Sequence, residues 1–206
     1  MTQTVLVPPA RIERWVHNFT GRHGETSLDV RAGRLTGVAA DGSAFTAHPP
    51  FAAAYAGPAD PASFAESCTP PAAWGVLLVR KGGFAIARLA GDRIVESKVG
   101  QRHVQGRTKA GGQSQQRFAR RRDNPARAAY EAAAGHAHRI LAGSLTALVC
   151  GGDRTAVDQV LEDPHLRHLA ALRVDPWLAV PDPRRGVLEK AIADGSSVAV
   201  TVNDPA

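Results

Sequence analysis

Cysteine is nearly missing from this chain: its 206 residues include two, Cys68 and Cys150. They are too few and too far apart for a disulfide framework or, by themselves, for a zinc site, and both are expected as free thiols. Long apolar runs are missing too. No stretch approaches ~18 uninterrupted apolar residues, so a membrane-spanning helix is not expected. The opening MTQTVLVPPARIERW has a three-residue apolar patch with no basic segment before it, which is the wrong shape for a secretory signal. A cytoplasmic protein with no membrane partner is expected. Metal-ligand spacing is absent as well. His136 and His138 stand two apart and cannot share a helical face, and neither they nor His165 and His168 have a Cys or carboxylate at ligand spacing. No metal and no cofactor are expected. With 44% hydrophobic and 21% charged residues and a mean hydropathy of −0.19, the composition is that of a soluble globular chain forming one large domain or two small ones.

Acidic residues are scarce in one segment. Between Arg93 and Arg127 there are ten Arg or Lys and two acids, Glu96 and Asp123, whereas the rest of the chain has 15 bases and 17 acids. The whole excess behind the net charge of +6 therefore sits in one place, which points to a phosphate-rich ligand meeting one part of the surface.

Local pattern divides the chain. Residues 1–73 read as a small α/β unit: a helix over Pro9–Thr20 with Ile12, Trp15, Val16 and Phe19 at helical spacing, then strands Thr26–Val30, Arg34–Ala40 and Ser43–Ala47. Six prolines between Pro49 and Pro71 read as an extended connector. Residues 74–206 form the second domain. WGVLLVR at Trp74–Arg80 pairs across Lys81-Gly82-Gly83 with Phe84–Leu89, and a more exposed strand spans Arg93–Val104. A helix capped by Ser114 runs to about Leu141, with Ala126, Ala129, Tyr130, Ala133, Ala137, Ile140 and Leu141 as its apolar stripe. Pro125 either kinks it or starts a second helix. Strands at Leu145–Cys150, Trp177–Val180 and Ser197–Val202 then alternate with helices at Thr155–Leu161 and Arg184–Ala193, which predicts an α/β fold with a mixed sheet and flanking helices. Gly151-Gly152-Asp153 lacks the third glycine of a dinucleotide fingerprint and the Lys-Ser/Thr of a P-loop, so it reads as a tight strand-to-helix turn. Trp15, Trp74 and Trp177 read as core aromatics.

The residues richest in chemistry lie between the third strand and the long helix. Gly111-Gly112 lets backbone approach a ligand closely. Gln113 donates and accepts hydrogen bonds but does not titrate, so it is a poor general acid or base. It can place a water and hydrogen-bond a developing oxyanion, a task shared with backbone N–H groups and a helix N-terminus. Arg117, Arg120 and Arg121 follow at steps of three and four with Arg122 beside them, and Arg102, Arg107 and Lys109 precede the glycines. Four arginines in six residues repel one another unless phosphates face them. A small neutral tip on a polycationic stem suits an uncharged reactive bond at the end of a nucleic-acid strand.

The run GRTKAGGQSQQRFARRR, Gly106 to Arg122, resembles the GGQ loop and following helix of the catalytic middle domain of eukaryotic and archaeal translation release factors. GGQS followed by RFAR is far more specific than the triplet alone, and the WGVLLV, FAIARL and LTALVCGGD strands agree in order. Within that relationship the chain most resembles the actinobacterial branch of the Vms-like release factors, peptidyl-tRNA hydrolases of ribosome quality control. The resemblance covers about residues 74–195 and leaves the first unit unexplained.

The resemblance implies that Gln113 enters the peptidyl transferase centre of the large ribosomal subunit and helps water attack the peptidyl-tRNA ester. Gly111 and Gly112 would shape the loop. Arg102, Arg107, Lys109, Arg117, Arg120, Arg121 and Arg122 would hold tRNA or ribosomal RNA. Nothing resembles a stop-codon-reading domain or one that recruits a partner GTPase, so codon-independent release is expected, and because the implied target lies inside a narrow RNA cavity a monomer is expected. Two other readings stay open: a nuclease cutting tRNA near its acceptor end, and a non-catalytic ribosome- or tRNA-binding factor.

Overall fold

The computed structural model describes residues 2–101 and 115–203, with side chains at 2–100, 127 and 129–203. In chain order the elements are β1 (Thr2–Val7), α1 (Ile12–His23), β2 (Thr26–Arg31), β3 (Arg34–Ala39), β4 (Ala44–His48), α2 (Pro61–Ser67), β5 (Trp74–Arg80), β6 (Gly83–Ala90), β7 (Arg93–Gln101), α3 (Gln115–Ile140), β8 (Ala147–Gly152), α4 (Arg154–Leu161), β9 (Arg173–Leu178), α5 (Arg185–Gly195) and β10 (Val198–Asn203). They form two compact units, one of residues 1–71 with 192–206 and one of residues 72–191.

The first unit is an antiparallel sheet in the order β1-β10-β4-β3-β2. Burial alternates along β3 and β4, as expected of strands with one face on a core. Leu35, Phe45, Ala47, Val198 and Val200 from the sheet pack with Ile12, Val16 and Phe19 of α1 and with Phe64 of α2. Asp60 caps α2 by accepting the Ser63 N–H at 2.8 Å, and Pro61 follows in the first turn, where its missing N–H costs nothing.

Two elements here differ from the expectations. The Pro/Ala-rich stretch read as a connector contains α2, and β1 was not foreseen, because its first three residues are exposed and lack an alternating pattern. The last strand also changes place. Sequence order ran the second unit through to residue 206, whereas β10 inserts between β1 and β4, with Val200 opposite both Val5 and Ala47. The pairing joins segments some 150 residues apart, which no local periodicity encodes.

The second unit is the expected mixed α/β layer, with sheet order β7-β6-β5-β8-β9. β5, β6 and β7 form an antiparallel meander, while β5 with β8 and β8 with β9 run parallel. β5 is buried along its length except at Arg80, which explains an unbroken apolar run in place of alternation. Leu77, Val79, Phe84, Ile86 and Leu148 pack against Ala133, Ala137 and Ile140 of α3, Leu141 just after it, and Val157, Val160 and Leu161 of α4. α3 runs without a break through Pro125, which removes one rung of the hydrogen-bond ladder there. β9 begins four residues earlier than expected, at Arg173, after a 3-10 turn over Arg167–Leu172.

Candidate functional site

α3 is held at its C-terminal half. Its small residues Ala133 and Ala137 bring the helix close to the sheet, and Ile140 and Leu141 fill the core beyond them. Around this base the contacts are specific. Arg139 pairs with Glu96 of β7, Arg88 of β6 donates to the Ala142 carbonyl, and the His136 ring lies 5.5 Å from that of Phe84. His138 stacks on His165 with ring centres 4.6 Å apart, joining two histidines that lie far apart in sequence. From this base the rise of an α-helix carries the backbone about 27 Å along the axis from Ala133 to Gln115.

The segment that joins β7 to α3 includes Arg102, Arg107, Lys109, Gly111, Gly112 and Gln113, and these lie outside the described residues. The expected extension of the third strand to Val104 and the Ser114 cap lie outside them too. Arg117, Arg120, Arg121 and Arg122 fall on the α3 backbone, where steps of three and four place Arg120 and Arg121 each beside Arg117 on one helical face. Their side chains also lie outside the described set. The structure therefore brings the four arginines onto one continuous helix, and its start directly follows the Gly-Gly-Gln segment.

The turn from β8 into α4 has a structural reason. A Cβ on Gly151 would lie 2.6 Å from the Leu178 carbonyl oxygen, and one on Gly152, at φ +92°, would lie 2.3 Å from that of Val79. Backbone approaches there too closely for any side chain. Asp153 then caps α4, its Oδ1 accepting the Thr155 N–H at 3.1 Å. Arg154 sits 4.4 Å over the Trp177 ring, and Trp177 Nε1 donates to the Gly152 carbonyl at 3.2 Å.

Beside α3 lies an open groove of about 910 Å³, whose lining includes Lys81, Arg127, Tyr130, Glu131, Asp153 and Glu162. Arg127 is paired with Glu131 at 3.0 Å. Burial, and secondarily the Asp153 charge, raise the Tyr130 hydroxyl above its ordinary value. Sequence reading did not collect this group, because its members come from three separated elements. The groove offers both signs of charge. The Cys150 thiol is buried and pushed up to about 12 by desolvation, and desolvation likewise raises Cys68, so neither described cysteine is activated. Among the described residues no three His, Cys, Asp or Glu gather at metal-binding distance, and no helix is long and apolar enough to cross a membrane.

The family model for the Actinobacteria/chloroflexi VLRF1 release factor matches residues 72–201. No curated protein matches the sequence. Among solved structures, the archaeal translation termination factor aRF1 is 17% identical over 60% of this chain and 36% of that one, with a TM-score of 0.41. This chain thus spans about a third of that factor's length. The Vms1 mitochondrial localization core is 12% identical over 92% of this chain and 80% of that one, with a TM-score of 0.44. Archaeoglobus fulgidus Pelota is 9% identical over 94% and 62%, with a TM-score of 0.30.

Proposed function

The chain belongs to the Actinobacteria/chloroflexi VLRF1 release factor family, and from that membership we propose that it is a peptidyl-tRNA hydrolase that frees nascent chains from stalled or split ribosomes without reading a codon. The observation that carries the reading is the run Gly111-Gly112-Gln113-Ser114 followed by Arg117-Phe118-Ala119-Arg120, which lies inside the matched residues and whose second part falls in the first turns of α3.

In this reading Gln113 orients a water against the ester carbonyl. The water oxygen bonds to the carbonyl carbon and the ester bond to the tRNA terminal ribose breaks. One proton of the water passes to the ribose oxygen and the other to solvent, and the products are a free peptide carboxylate and a tRNA with an intact 3′ end. Because a glutamine amide does not titrate, its contribution is placement and hydrogen bonding of the developing oxyanion. Gly111 and Gly112 shape the loop. Arg102, Arg107, Lys109, Arg117, Arg120, Arg121 and Arg122 hold tRNA and ribosomal RNA backbone, where neutralised phosphates supply affinity. Hydrolysis belongs to residues 72–191 in this account, and the protein works as a cytoplasmic monomer inside the peptidyl transferase centre of the large subunit.

The test is a release assay on purified large subunits carrying labelled peptidyl-tRNA, comparing the wild type with Gln113→Ala. Loss of one oxyanion-type interaction lowers a rate by about 10²–10³. The reading expects free peptide and an intact CCA end, with release falling by that order in the variant while subunit binding persists. A shortened tRNA product would show a nuclease instead. Binding without product from either protein would show a non-catalytic ribosomal factor.

A further inference from the structure

In the first unit, the end of edge strand β1 and helix α1 enclose a groove of about 560 Å³. Leu6 and Pro8 form its apolar side, and Arg11, Arg14, Trp15 and Asn18 form the other. These four are spaced at three and four residues, so they share one face at the start of the helix. The two arginines are exposed and, among the described residues, neither has a carboxylate partner, whereas Arg31, Arg127 and Arg173 each hold one. No acidic side chain lines the groove. Glu13, the acid in the first turn of α1, is not among its lining residues. The indole of Trp15 lines the same groove and is half-buried. It is fixed by stacking on Phe19 at 5.6 Å and by an edge contact with Phe45 at 5.2 Å.

Unpaired arginines beside a fixed aromatic ring, an amide and an apolar wall match a ligand that alternates flat bases with phosphates. We propose that this groove binds single-stranded RNA, with one unpaired base against Trp15, the base edge on the Asn18 amide and the flanking phosphates on Arg11 and Arg14. An aromatic platform attracts any base through its π-face, and the cations track the backbone. The amide both donates and accepts, which suits a base edge. An acidic peptide would satisfy the arginines but would leave the ring and the amide unused. This RNA contact lies in the first unit, away in sequence from the Gly-Gly-Gln segment, and it stands whether or not Gln113 hydrolyses an ester.

The test uses the full chain and a fluorescein-labelled oligouridylate of about ten nucleotides, a length within the range of single-strand sites, carrying 4-thiouridine for photocrosslinking. Anisotropy titrations over a salt series compare the wild type with Arg11→Ala/Arg14→Ala, and with Arg120→Ala/Arg121→Ala on α3 as a separate basic surface. The expected result is a crosslink at Trp15 that Arg11→Ala/Arg14→Ala abolishes and Arg120→Ala/Arg121→Ala keeps. In Arg11→Ala/Arg14→Ala the salt slope should become shallower by about 0.7 for each phosphate that is no longer neutralised. An Arg11→Lys/Arg14→Lys variant, which keeps the charge, retains most of that slope. Crosslinks confined to residues 102–127, or an Arg11→Ala/Arg14→Ala variant that binds as the wild type does, would overturn the proposal. So would oligoglutamate binding as tightly as the oligouridylate, which would make the groove an acidic-peptide surface.

Discussion

The Arg139 guanidinium near the end of α3 pairs with the Glu96 carboxylate in the middle of β7. These are the two elements that flank the Gly-Gly-Gln segment, so this contact closes its base on the sheet. Both side chains are about half exposed, at 59% and 41%, and solvent screening keeps such a pair modest. A double-mutant cycle of Arg139→Ala and Glu96→Ala is expected to give a coupling of at most about 1 kcal/mol that shrinks with added salt. A coupling independent of salt would mean that the contact is packing and not charge.

Gly152 and Gly135 predict opposite outcomes for the same substitution. At Gly152 the backbone has φ +92° and a Cβ would meet the Val79 carbonyl oxygen at 2.3 Å, so Gly152→Ala should cost at least about 2 kcal/mol in urea unfolding. Gly135 lies inside α3 with nothing within 4 Å of the added Cβ. There Gly135→Ala should stabilise by about 0.5–1 kcal/mol.

Acid should loosen the first unit. The Ser43 backbone N–H and then His23 hold the Asp41 carboxyl below its ordinary value, and the Ser63 backbone N–H does the same for Asp60. A carboxyl that ionises more readily folded than unfolded adds stability that is complete above the unfolded value, near pH 4. That stability is lost as pH falls through the lower folded value. Thermal unfolding followed from pH 6 to pH 2 should show the drop below about pH 4, and Asp41→Asn with Asp60→Asn should flatten it.

The thiols should be silent until the chain unfolds. Cys150 is pushed up to about 12 and both cysteines are buried, so a thiol reagent at neutral pH should modify neither in the native state and both in denaturant. Native-state labelling of Cys150 as fast as in denaturant would show that the β8 region opens readily.

On α3, Arg120→Ala with Arg121→Ala should weaken binding to large subunits and lower its salt dependence by roughly one neutralised phosphate each. An unchanged slope would remove these arginines from the RNA interface.

Several elements were legible because their signals are local. WGVLLV announced a strand, Lys81-Gly82-Gly83 a hairpin turn, and the stripe from Ala133 to Leu141 the packed face of a long helix. The weaker signals failed for physical reasons. α2 is seven residues long inside a proline-rich stretch, although Asp60-Pro61 is a start signal that could have revealed it. Pro125 read as a possible break, yet one missing hydrogen bond does not end a helix whose next turns are anchored by Ala133, Ala137 and Ile140.

The sequence by itself determined the local elements, the concentration of positive charge between Arg93 and Arg127, and the neutral Gly-Gly-Gln tip set before an arginine-rich helix. Each of these depends on residues close along the chain. Tertiary structure alone decided that β10 returns to pair with β1 and β4, and that Gly151 and Gly152 are demanded by carbonyls of β9 and β5. It also decided that Leu6 of the edge strand faces Arg11, Arg14 and Trp15 across one groove. Those relationships arise from strand pairing and from close approach of backbones, which link residues by distance in space and leave no periodicity in the sequence.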